Sequence, residues 1–284
     1  MRFDCHIHMV LDGVYWRSAL QRHSVAPDDA FIHAQLAIYQ RLGFTHLRDG
    51  GDRWGVGLRA KQLAPEYGIT YLTPLAPLVQ QGHYGSFIGL TYETLSDFAD
   101  LVRRQRQQGA DFIKIMVSGL MDFDHPGVLT DTPLPAGQIQ ELVHIAHSEG
   151  MAVMAHCNGA RTMEFSAQAG VDSIEHGAYA DPDALHAMLQ AGTVWVPTAS
   201  TIANLRGTGR FDEGAVREIL AMHTDNIATF AAIGGLIACG TDAGAFAVPH
   251  GSLTEEFLLS QIPTLSDFAL QYANGCIFRR FTVA

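Results

Sequence analysis

Lysine is nearly absent from the 284-residue sequence, which contains 16 arginines but only Lys61 and Lys114. Lys61 lies in a helical stretch and is typical of a helix surface. Lys114 instead interrupts the apolar run 112–117, which predicts a buried strand. Because an unpaired ammonium group is costly to bury, this position indicates a specific role for Lys114.

Positive charge is also scarce, with 18 basic against 29 acidic residues and a formal net charge of −11. A surface of that sign repels phosphate backbones, so we expect no nucleic-acid partner. Every apolar run is shorter than the roughly 20 residues that span a bilayer, and no basic-then-apolar leader opens the chain. We therefore expect no membrane partner and a globular protein of the cytoplasm.

Paired cysteines are lacking too, since the four cysteines show no C-x-x-C motif or paired spacing. Three of the four lie inside apolar, strand-like runs. The sequence therefore predicts reduced, buried thiols rather than a disulfide scaffold. The four are Cys5, Cys157, Cys239 and Cys276.

Eight short β-like runs alternate with helical stretches along the whole chain. The runs are residues 2–7, 44–48, 69–73, 111–117, 152–156, 171–175, 193–196 and 236–240. Their apolar character suits strands buried on both faces of a parallel sheet. Eight strand–helix repeats predict an α/β fold, a closed (β/α)₈ TIM barrel forming a single domain over residues 1–284. A doubly wound open sheet is the alternative, but no Gly-rich phosphate-binding motif follows the first strand.

The helical stretches between these runs carry their own signals. Ile139, Leu142, Val143 and Ala146 recur at the spacing that places them on one helix face, which we expect to be buried. Asp181 and the proline after it predict a helix N-cap followed by proline in the first turn.

Six polar side chains fall at the predicted carboxyl ends of strands, where barrel enzymes build their active sites. They are His6, His8, Lys114, His156, His176 and Asp242. Each one alone has an ordinary structural explanation, such as a satisfied core histidine or a helix cap. Together at one end of a barrel they predict a metal site, and imidazole and carboxylate ligands suit Zn²⁺ or Mn²⁺. A lysine joins such a site only as a carbamate formed with CO₂, whose two oxygens can bridge two cations.

The motifs around these six residues resemble those of the amidohydrolase superfamily. The matching segments are His6-Ile7-His8, Lys114, Ala155-His156-Cys157-Asn158-Gly159, Ile174-Glu175-His176-Gly177 and Gly240-Thr241-Asp242-Ala243-Gly244. They occur in the family's order, and the resemblance covers about residues 2–256. Within the superfamily, the segments 112–119, 170–177 and 196–198 are similar to the prolidase-like dipeptidases and the imidazolonepropionase relatives.

This resemblance implies a two-metal site, with Zn²⁺ favoured and Mn²⁺, Fe²⁺ or Co²⁺ as alternatives. His6, His8 and Asp242 would hold a buried cation, and His156 and His176 a more exposed one. Carboxylated Lys114 and a hydroxide would bridge the two cations. Asp242 would pass the proton of the attacking hydroxide to the leaving amine.

The implied activity is hydrolysis of an amide bond in a small substrate, with a dipeptide or an N-acyl amino acid favoured. A lactonase or phosphoesterase on the same metal core is one alternative. A second is a mononuclear isomerase or decarboxylase of the same fold, against which Lys114 argues. A third is a catalytically inactive barrel that serves as a binding module.

The sequence also departs from the relatives. They carry a small β-sandwich beside the barrel, and we expect this chain to lack one. Leu120 stands where they have a second glycine. The apolar segment 277–284 is expected to cover the barrel or to join a subunit contact, which leaves open whether the chain forms a homo-oligomer.

Substrate contacts are expected from side chains in the loops that follow the strands. His83 and Tyr84 follow the third strand and resemble an element that relatives place beside the substrate carbonyl. Arg161 could bind a substrate carboxylate. Tyr179 and His250 are further, weaker candidates. Arg48 and Asp49 are instead expected to form a structural pair beneath the site.

Overall fold

The computed structural model describes residues 1–282, in which parallel strands alternate with helices. The strands are β1 (Arg2–Ile7), β2 (Phe44–Asp49), β3 (Thr70–Leu72), β4 (Leu78–Gln80), β5 (Leu90–Tyr92), β6 (Ile113–Met116), β7 (Val153–Cys157), β8 (Ser173–His176) and β9 (Val194–Val196). The helices are α1 (Trp16–Arg22), α2 (Asp29–Arg41), α3 (Val56–Leu63), α4 (Leu95–Gln107), α5 (Ala136–Ser148), α6 (Ala160–Ala169), α7 (Pro182–Ala191), α8 (Ser200–Ala203), α9 (Glu213–Ala232), α10 (Thr254–Ser260) and α11 (Asp267–Arg280).

The strands form two parallel sheets that backbone hydrogen bonds join into the predicted α/β barrel. One sheet has the order β1-β2-β3 and the other the order β5-β4-β6-β7-β8-β9. On one side, the Asp111 amide donates to the Thr73 carbonyl at 2.9 Å. On the other side, segment 236–240 lies between β9 and β1, because the Trp195 amide donates to Leu236 and the Cys5 amide donates to Cys239, both at 2.8 Å. This segment holds the place of the predicted eighth strand.

The third predicted strand differs most from expectation. The predicted run 69–73 shrinks to the three residues of β3, and two short strands that the sequence analysis did not predict, β4 and β5, follow it. Pro74 and Pro77 lack the amide hydrogens that a continuous strand needs, and Leu75 takes a positive φ of 67°. The chain therefore leaves the sheet and re-enters it at β4, which pairs with β6.

Helices pack outside the barrel through the apolar faces that the sequence predicts. The buried residues of α5 are Ile139, Leu142, Val143 and Ala146. The Asp181 side chain accepts from the Ala184 amide, and Pro182 opens α7, so the predicted N-cap is confirmed. All four cysteines are free and buried, as predicted.

The end of α11 closes the amino-terminal end of the barrel. Ile277 and Phe281 are fully buried, and the Phe281 ring meets the Phe112 ring at 5.1 Å between centroids. Residues 283 and 284 of the predicted covering segment and of the predicted 1–284 domain lie outside the described residues. In the described part of the chain, no helix combines the length and apolarity needed to cross a membrane.

Candidate metal centre

The six predicted ligand residues come together at the carboxyl end of the barrel. His6 lies in β1 and His8 just beyond it, while Lys114, His156 and His176 lie in β6, β7 and β8. Asp242 follows segment 236–240. Its φ of 57° and the φ of 67° at His176 are left-handed values that non-glycine residues rarely adopt, and such strained backbone clusters at functional sites.

Three of these residues form a compact donor set. The Oδ1 atom of Asp242 lies 3.5 Å from His6 Nε2 and 3.4 Å from His8 Nε2, and the two Nε2 atoms are 3.4 Å apart. The Asp242 Oδ1 atom is buried and has no hydrogen-bond partner among the described residues. A buried carboxylate oxygen is costly to leave unpaired, so this set fits a cation that would satisfy it.

The outer nitrogen of His6 is already bonded, which fixes the nitrogen that faces the site. His6 Nδ1 lies 2.8 Å from Glu175 Oε2. Because a carboxylate accepts and does not donate, Nδ1 carries the hydrogen and the Nε2 lone pair is free for a cation. Burial lowers the pKa of the His6 imidazole well below its usual range, which keeps this ligand neutral.

The second pair of histidines offers two different nitrogen atoms. The His156 and His176 rings lie 4.6 Å apart between centroids. His176 Nδ1 is 2.8 Å from Thr198 Oγ1, which leaves Nε2 facing the site. His156 Nε2 is 3.1 Å from the Gly119 carbonyl, so it donates there and leaves the Nδ1 lone pair free. Burial lowers the pKa of His156 to about 3, so this imidazole is neutral as well.

Lys114 is buried at the same cavity, with 1% of its surface exposed. Burial lowers the pKa of its ammonium group below the usual range of a lysine and raises the pKa of the Asp242 carboxyl above that of an exposed aspartate. The lysine is therefore much easier to deprotonate than a surface lysine. A neutral amine is the form that can react with CO₂, so the environment fits the predicted carbamate.

Arg48 has a partner other than the predicted one. Its guanidinium donates from Nη2 to Glu175 Oε1 at 2.8 Å and from Nε to the Cys5 carbonyl at 2.6 Å. Asp49 points elsewhere and accepts from the Met9 amide at 3.3 Å. The predicted Arg48–Asp49 pair is wrong because successive strand residues point to opposite faces of the sheet.

Two residues that support the ligands were missed by the sequence analysis. Glu175 orients His6, and Thr198 bonds His176. A signal for Glu175 was present, because a carboxylate inside a predicted buried strand needs a buried partner. Thr198 carried no comparable signal, since a threonine after a strand is common.

The site opens into a cavity of about 800 Å³ between the βα loops. His8, Lys114, His156, His176 and Asp242 lie in its wall. Apolar side chains from several loops form the outer part, including Leu11, Phe87, Met121, Leu205 and Phe246.

The predicted substrate residues are spread over different environments. Tyr84 lines the cavity, and its ring lies 4.9 Å from the His156 ring. His83 Nδ1 is 3.1 Å from Asp131 Oδ2, and the Arg161 guanidinium lies over Phe165. Tyr179 is partly buried in an apolar cluster beside the barrel mouth. Their contact with substrate stays a prediction.

His250 is held within the protein. Its Nδ1 atom lies 3.1 Å from the Tyr39 hydroxyl, and Nε2 donates to the Leu11 carbonyl at 2.9 Å. Both ring nitrogens are thus engaged in structural bonds.

The fold is an α/β barrel whose donor set could hold a cation, and comparisons with known proteins give its family. The sequence pattern of the amidohydrolase family matches residues 55–271, a span that includes Lys114, His156, His176 and Asp242. The chain belongs to the amidohydrolase family. This membership confirms the resemblance drawn from the sequence.

Two relatives are similar in sequence, one to part of the chain and the other to most of it. An uncharacterized protein of Mycobacterium tuberculosis is 31% identical over 124 residues, which is 42% of this chain and 33% of that protein. The ochratoxinase of Aspergillus niger is 23% identical over 298 residues, covering 89% of this chain and 61% of that protein. The chain thus spans about a third and about three fifths of these two relatives.

Solved structures show the same fold. A Xaa-Pro dipeptidase with bound methionine superposes with a TM-score of 0.78 at 22% identity, over 98% of this chain and 75% of that one. The A. niger ochratoxinase superposes with a TM-score of 0.77 at 18% identity, over 99% and 71% of the two chains. These likenesses confirm the predicted barrel.

Proposed function

We propose that the protein is a two-metal hydrolase that cleaves an amide bond of a small substrate, a dipeptide or an N-acyl amino acid. The observation that carries this proposal is that two sets of potential metal ligands and one buried lysine line the same end of the barrel. At His6 and His156 the bond of the other ring nitrogen leaves a lone pair facing the site, and at His176 the bond to Thr198 holds the ring with Nε2 toward the site.

The residues divide into two ligand groups with a shared member. His6, His8 and Asp242 would hold one cation, and His156 and His176 the other. Lys114 would join both after its Nζ atom forms a bond to the carbon of CO₂ and loses a proton, which gives a carbamate with two oxygens. Two divalent cations held there would supply an activated water and a polarised substrate carbonyl.

Asp242 is the residue that we assign to proton transfer. Its carboxylate is buried beside His6 and His8, where it could accept a proton from a water held by the cations. It would take the proton of the attacking water and deliver it to the nitrogen of the leaving amine. The carbon–nitrogen bond breaks as that nitrogen becomes a neutral amine.

The substrate assignment rests on the relatives as well as on the cavity. The similar solved structures include a Xaa-Pro dipeptidase and a prolidase complexed with N-methylphosphonate-L-proline. These likenesses favour a peptide-like amide. Neutral imidazole and carboxylate ligands favour Zn²⁺, with Mn²⁺, Fe²⁺ and Co²⁺ as alternatives.

The test is to count cations per chain after purification without chelator in the presence of bicarbonate. We expect about two in the wild type, at most one in Lys114→Ala, and about two in Lys61→Ala, the matched control at the only other lysine. Lys61 forms an ion pair with Asp111 at 2.7 Å, away from the cavity.

Two further measurements complete the test. With ¹³C-bicarbonate, NMR should show a carbamate signal that Lys114→Ala removes and Lys61→Ala keeps. Hydrolysis of a dipeptide panel should fall by about a thousandfold or more in Lys114→Ala. One cation per chain, unaffected by Lys114→Ala, would overturn the two-metal proposal in favour of the mononuclear alternative.

A further inference from the structure

Asn158 is a buried polar residue to which the proposed reaction gives no role. It follows β7 two residues beyond His156, lines the cavity, and has 1% of its surface exposed. A side-chain amide is costly to bury unless its donors and its acceptor are bonded, so its contacts show what it holds. These contacts reach the loops that follow β6 and β8, the two neighbours of β7 in the sheet. They are the β6–α5 loop (residues 117–135) and the β8–α7 loop (residues 177–181).

The Asn158 side chain spans the gap between these two loops. Its Oδ1 atom accepts from the Ala178 amide at 3.0 Å, and its Nδ2 atom donates to the Gly119 carbonyl at 3.1 Å. Because a backbone amide only donates and a carbonyl only accepts, the orientation of the side-chain amide is fixed. The Asn158 backbone amide adds a third link, because it donates to Ser118 Oγ at 2.8 Å. Asn158 thus joins the β6–α5 loop to the β8–α7 loop.

The Gly119 carbonyl accepts hydrogen bonds from three side chains at once. Asn158 Nδ2, His156 Nε2 and Ser118 Oγ each lie 3.1 Å from this oxygen. Asn158 Nδ2 and His156 Nε2 are also 3.5 Å apart, and since both are N–H donors here, the shared carbonyl is what holds them together. With the carbonyl in place, the His156 hydrogen stays on Nε2 and the Nδ1 lone pair is free. Without it, the neutral ring can also carry its hydrogen on Nδ1.

Close packing on the other side of Gly119 also restricts this carbonyl. A Cβ atom added to Gly119 would lie 2.4 Å from the Asp131 amide nitrogen, so the two backbone segments touch directly. The Asp131 carboxylate accepts from the Tyr84 amide at 2.9 Å and lies 3.1 Å from His83 Nδ1. The β6–α5 loop is therefore held from two sides, by Asn158 and by the loop between β4 and β5.

We propose that Asn158 is a positioning residue for the second pair of candidate ligands, His156 and His176, and that it acts through the Gly119 carbonyl. It holds this carbonyl against His156, so that the ring presents Nδ1 to the cation. It also ties the β8–α7 loop, which follows His176, to the same point. This inference deepens the proposed function and rests on its second cation. Within residues 1–282, the side-chain bonds of Asn158 reach none of the candidate ligands of the first cation, His6, His8 and Asp242.

The first experiment measures the two Zn²⁺ dissociation constants by competition with a chelator. Asn158→Ala removes both the donor to Gly119 and the acceptor for Ala178. We expect it to weaken the second cation about 10–100-fold and the first by no more than about twofold. His176→Ala, which lacks a ligand of the second pair, shows which constant belongs to that pair. Equal loss at both sites, loss at the first site alone, or no loss would overturn the inference.

Two further variants accompany this titration. Asn226→Ala is the matched control, because Asn226 lies on α9 and also donates from Nδ2 to a backbone carbonyl, that of Ala180, at 2.9 Å. It should keep both dissociation constants of the wild type. Ser118→Ala is a milder variant that decides the question if Asn158→Ala does not fold. It removes one donor to the Gly119 carbonyl and should weaken the second cation alone, by a smaller factor; loss at the first site instead would contradict the proposal.

The tautomer of His156 gives a readout that a general loss of stability would not change. In ¹⁵N NMR spectra of metal-free protein, a ring nitrogen that carries hydrogen is distinguished from one with a free lone pair, and His156→Gln identifies the signals. The wild type and Asn226→Ala should carry the hydrogen on Nε2, whereas Asn158→Ala should show a mixture of both tautomers. A pure Nε2–H ring in Asn158→Ala would refute the positioning role.

The NMR measurement also separates this inference from the proposed function, because it needs neither a cation nor a substrate. If the wild type binds one cation and hydrolyses no amide, but Asn158→Ala changes the tautomer, the two-metal proposal fails and the role of Asn158 in orienting His156 stands. If the wild type is a two-cation hydrolase, but Asn158→Ala changes neither the tautomer nor the second dissociation constant, the positioning role fails alone.

Discussion

Replacing Glu175 by glutamine tests the buried network that supports the metal centre. Glu175 and Arg48 have no exposed surface. One carboxylate oxygen accepts from Arg48 Nη2 at 2.8 Å and from the Ser173 hydroxyl, and the other accepts from His6 Nδ1 at 2.8 Å. A single carboxylate thus neutralises a buried guanidinium and fixes the tautomer of a metal ligand.

The variant Glu175→Gln removes the charge and keeps the shape. Arg48 is then a buried cation without a counter-ion, and breaking a buried pair in this way costs about 3–5 kcal/mol of unfolding free energy. The new amide NH₂ also faces a donor, either Arg48 or the His6 Nδ1 hydrogen. If His6 shifts its hydrogen to Nε2, it no longer offers a lone pair to the cation, so metal affinity should fall about 10–100-fold.

Two measurements check these values. Urea unfolding of metal-free protein gives the free-energy difference, and competition with a chelator gives the metal dissociation constants. Glu141→Gln is the matched control, because Glu141 lies exposed on α5. Stability within about 1 kcal/mol of the wild type together with unchanged metal affinity would refute the reasoning.

A double variant separates the two effects. Replacing Glu175 by leucine and Arg48 by methionine removes both charges, which should recover much of the stability that Glu175→Gln loses. Metal affinity should stay low, because His6 still lacks its acceptor. Recovery of both properties together would show that Glu175 acts through folding alone.

Three further predictions concern the ligands and the buried acids. Gly50→Ala should lower cation content, because the added Cβ would lie 2.3 Å from the His8 ring. Thr198→Val should weaken the second cation about 10–100-fold, measured by chelator competition, because the His176 Nδ1 bond of 2.8 Å is lost. Burial raises the Glu255 pKa from 4.5 to about 7, so the folded protein keeps a proton that the unfolded chain releases. The unfolding free energy therefore falls as the pH rises from 4.5 to 7. Glu255→Gln should reduce this fall by up to about 3 kcal/mol, measured by urea unfolding of metal-free protein at several pH values.

Each of these predictions has a control or a contrary outcome. Gly137→Ala, a helical position with open space around it, should leave cation content unchanged. Full second-site affinity in Thr198→Val would show that His176 needs no partner. The same pH slope in Glu255→Gln as in the wild type would show that another group carries the proton.

The sequence predicted the fold, and the six residues that it marked as candidate ligands lie together in the structure, because both features follow from local chemistry. Apolar strands alternate with helical stretches along the chain, and parallel strands place their carboxyl ends together. The third strand was predicted less well. Pro74 and Pro77 show where it breaks, but a three-residue strand such as β4 or β5 has too few residues for a period-2 pattern.

The hydrogen-bond partner of each candidate ligand was much harder to predict than the residue itself. His6 and His176 present Nε2, whereas His156 presents Nδ1, and this choice depends on where the Gly119 carbonyl lies. That carbonyl belongs to a loop 37 residues earlier in the chain. No residue type encodes its position, because every residue has a carbonyl.

The useful signal in the sequence was a charged residue inside a strand predicted to be buried. Lys114 is one example, and two other residues show the same feature. A charged group in an apolar strand must either be paired or take part in chemistry. Lys114 meets this condition at the ligand set. Arg48 and Glu175 meet it as well, because both are fully buried strand residues, and the structure pairs them with each other at 2.8 Å. The partner of a charged residue in a predicted barrel strand should therefore be sought on another strand, because adjacent residues of one strand face opposite sides of the sheet.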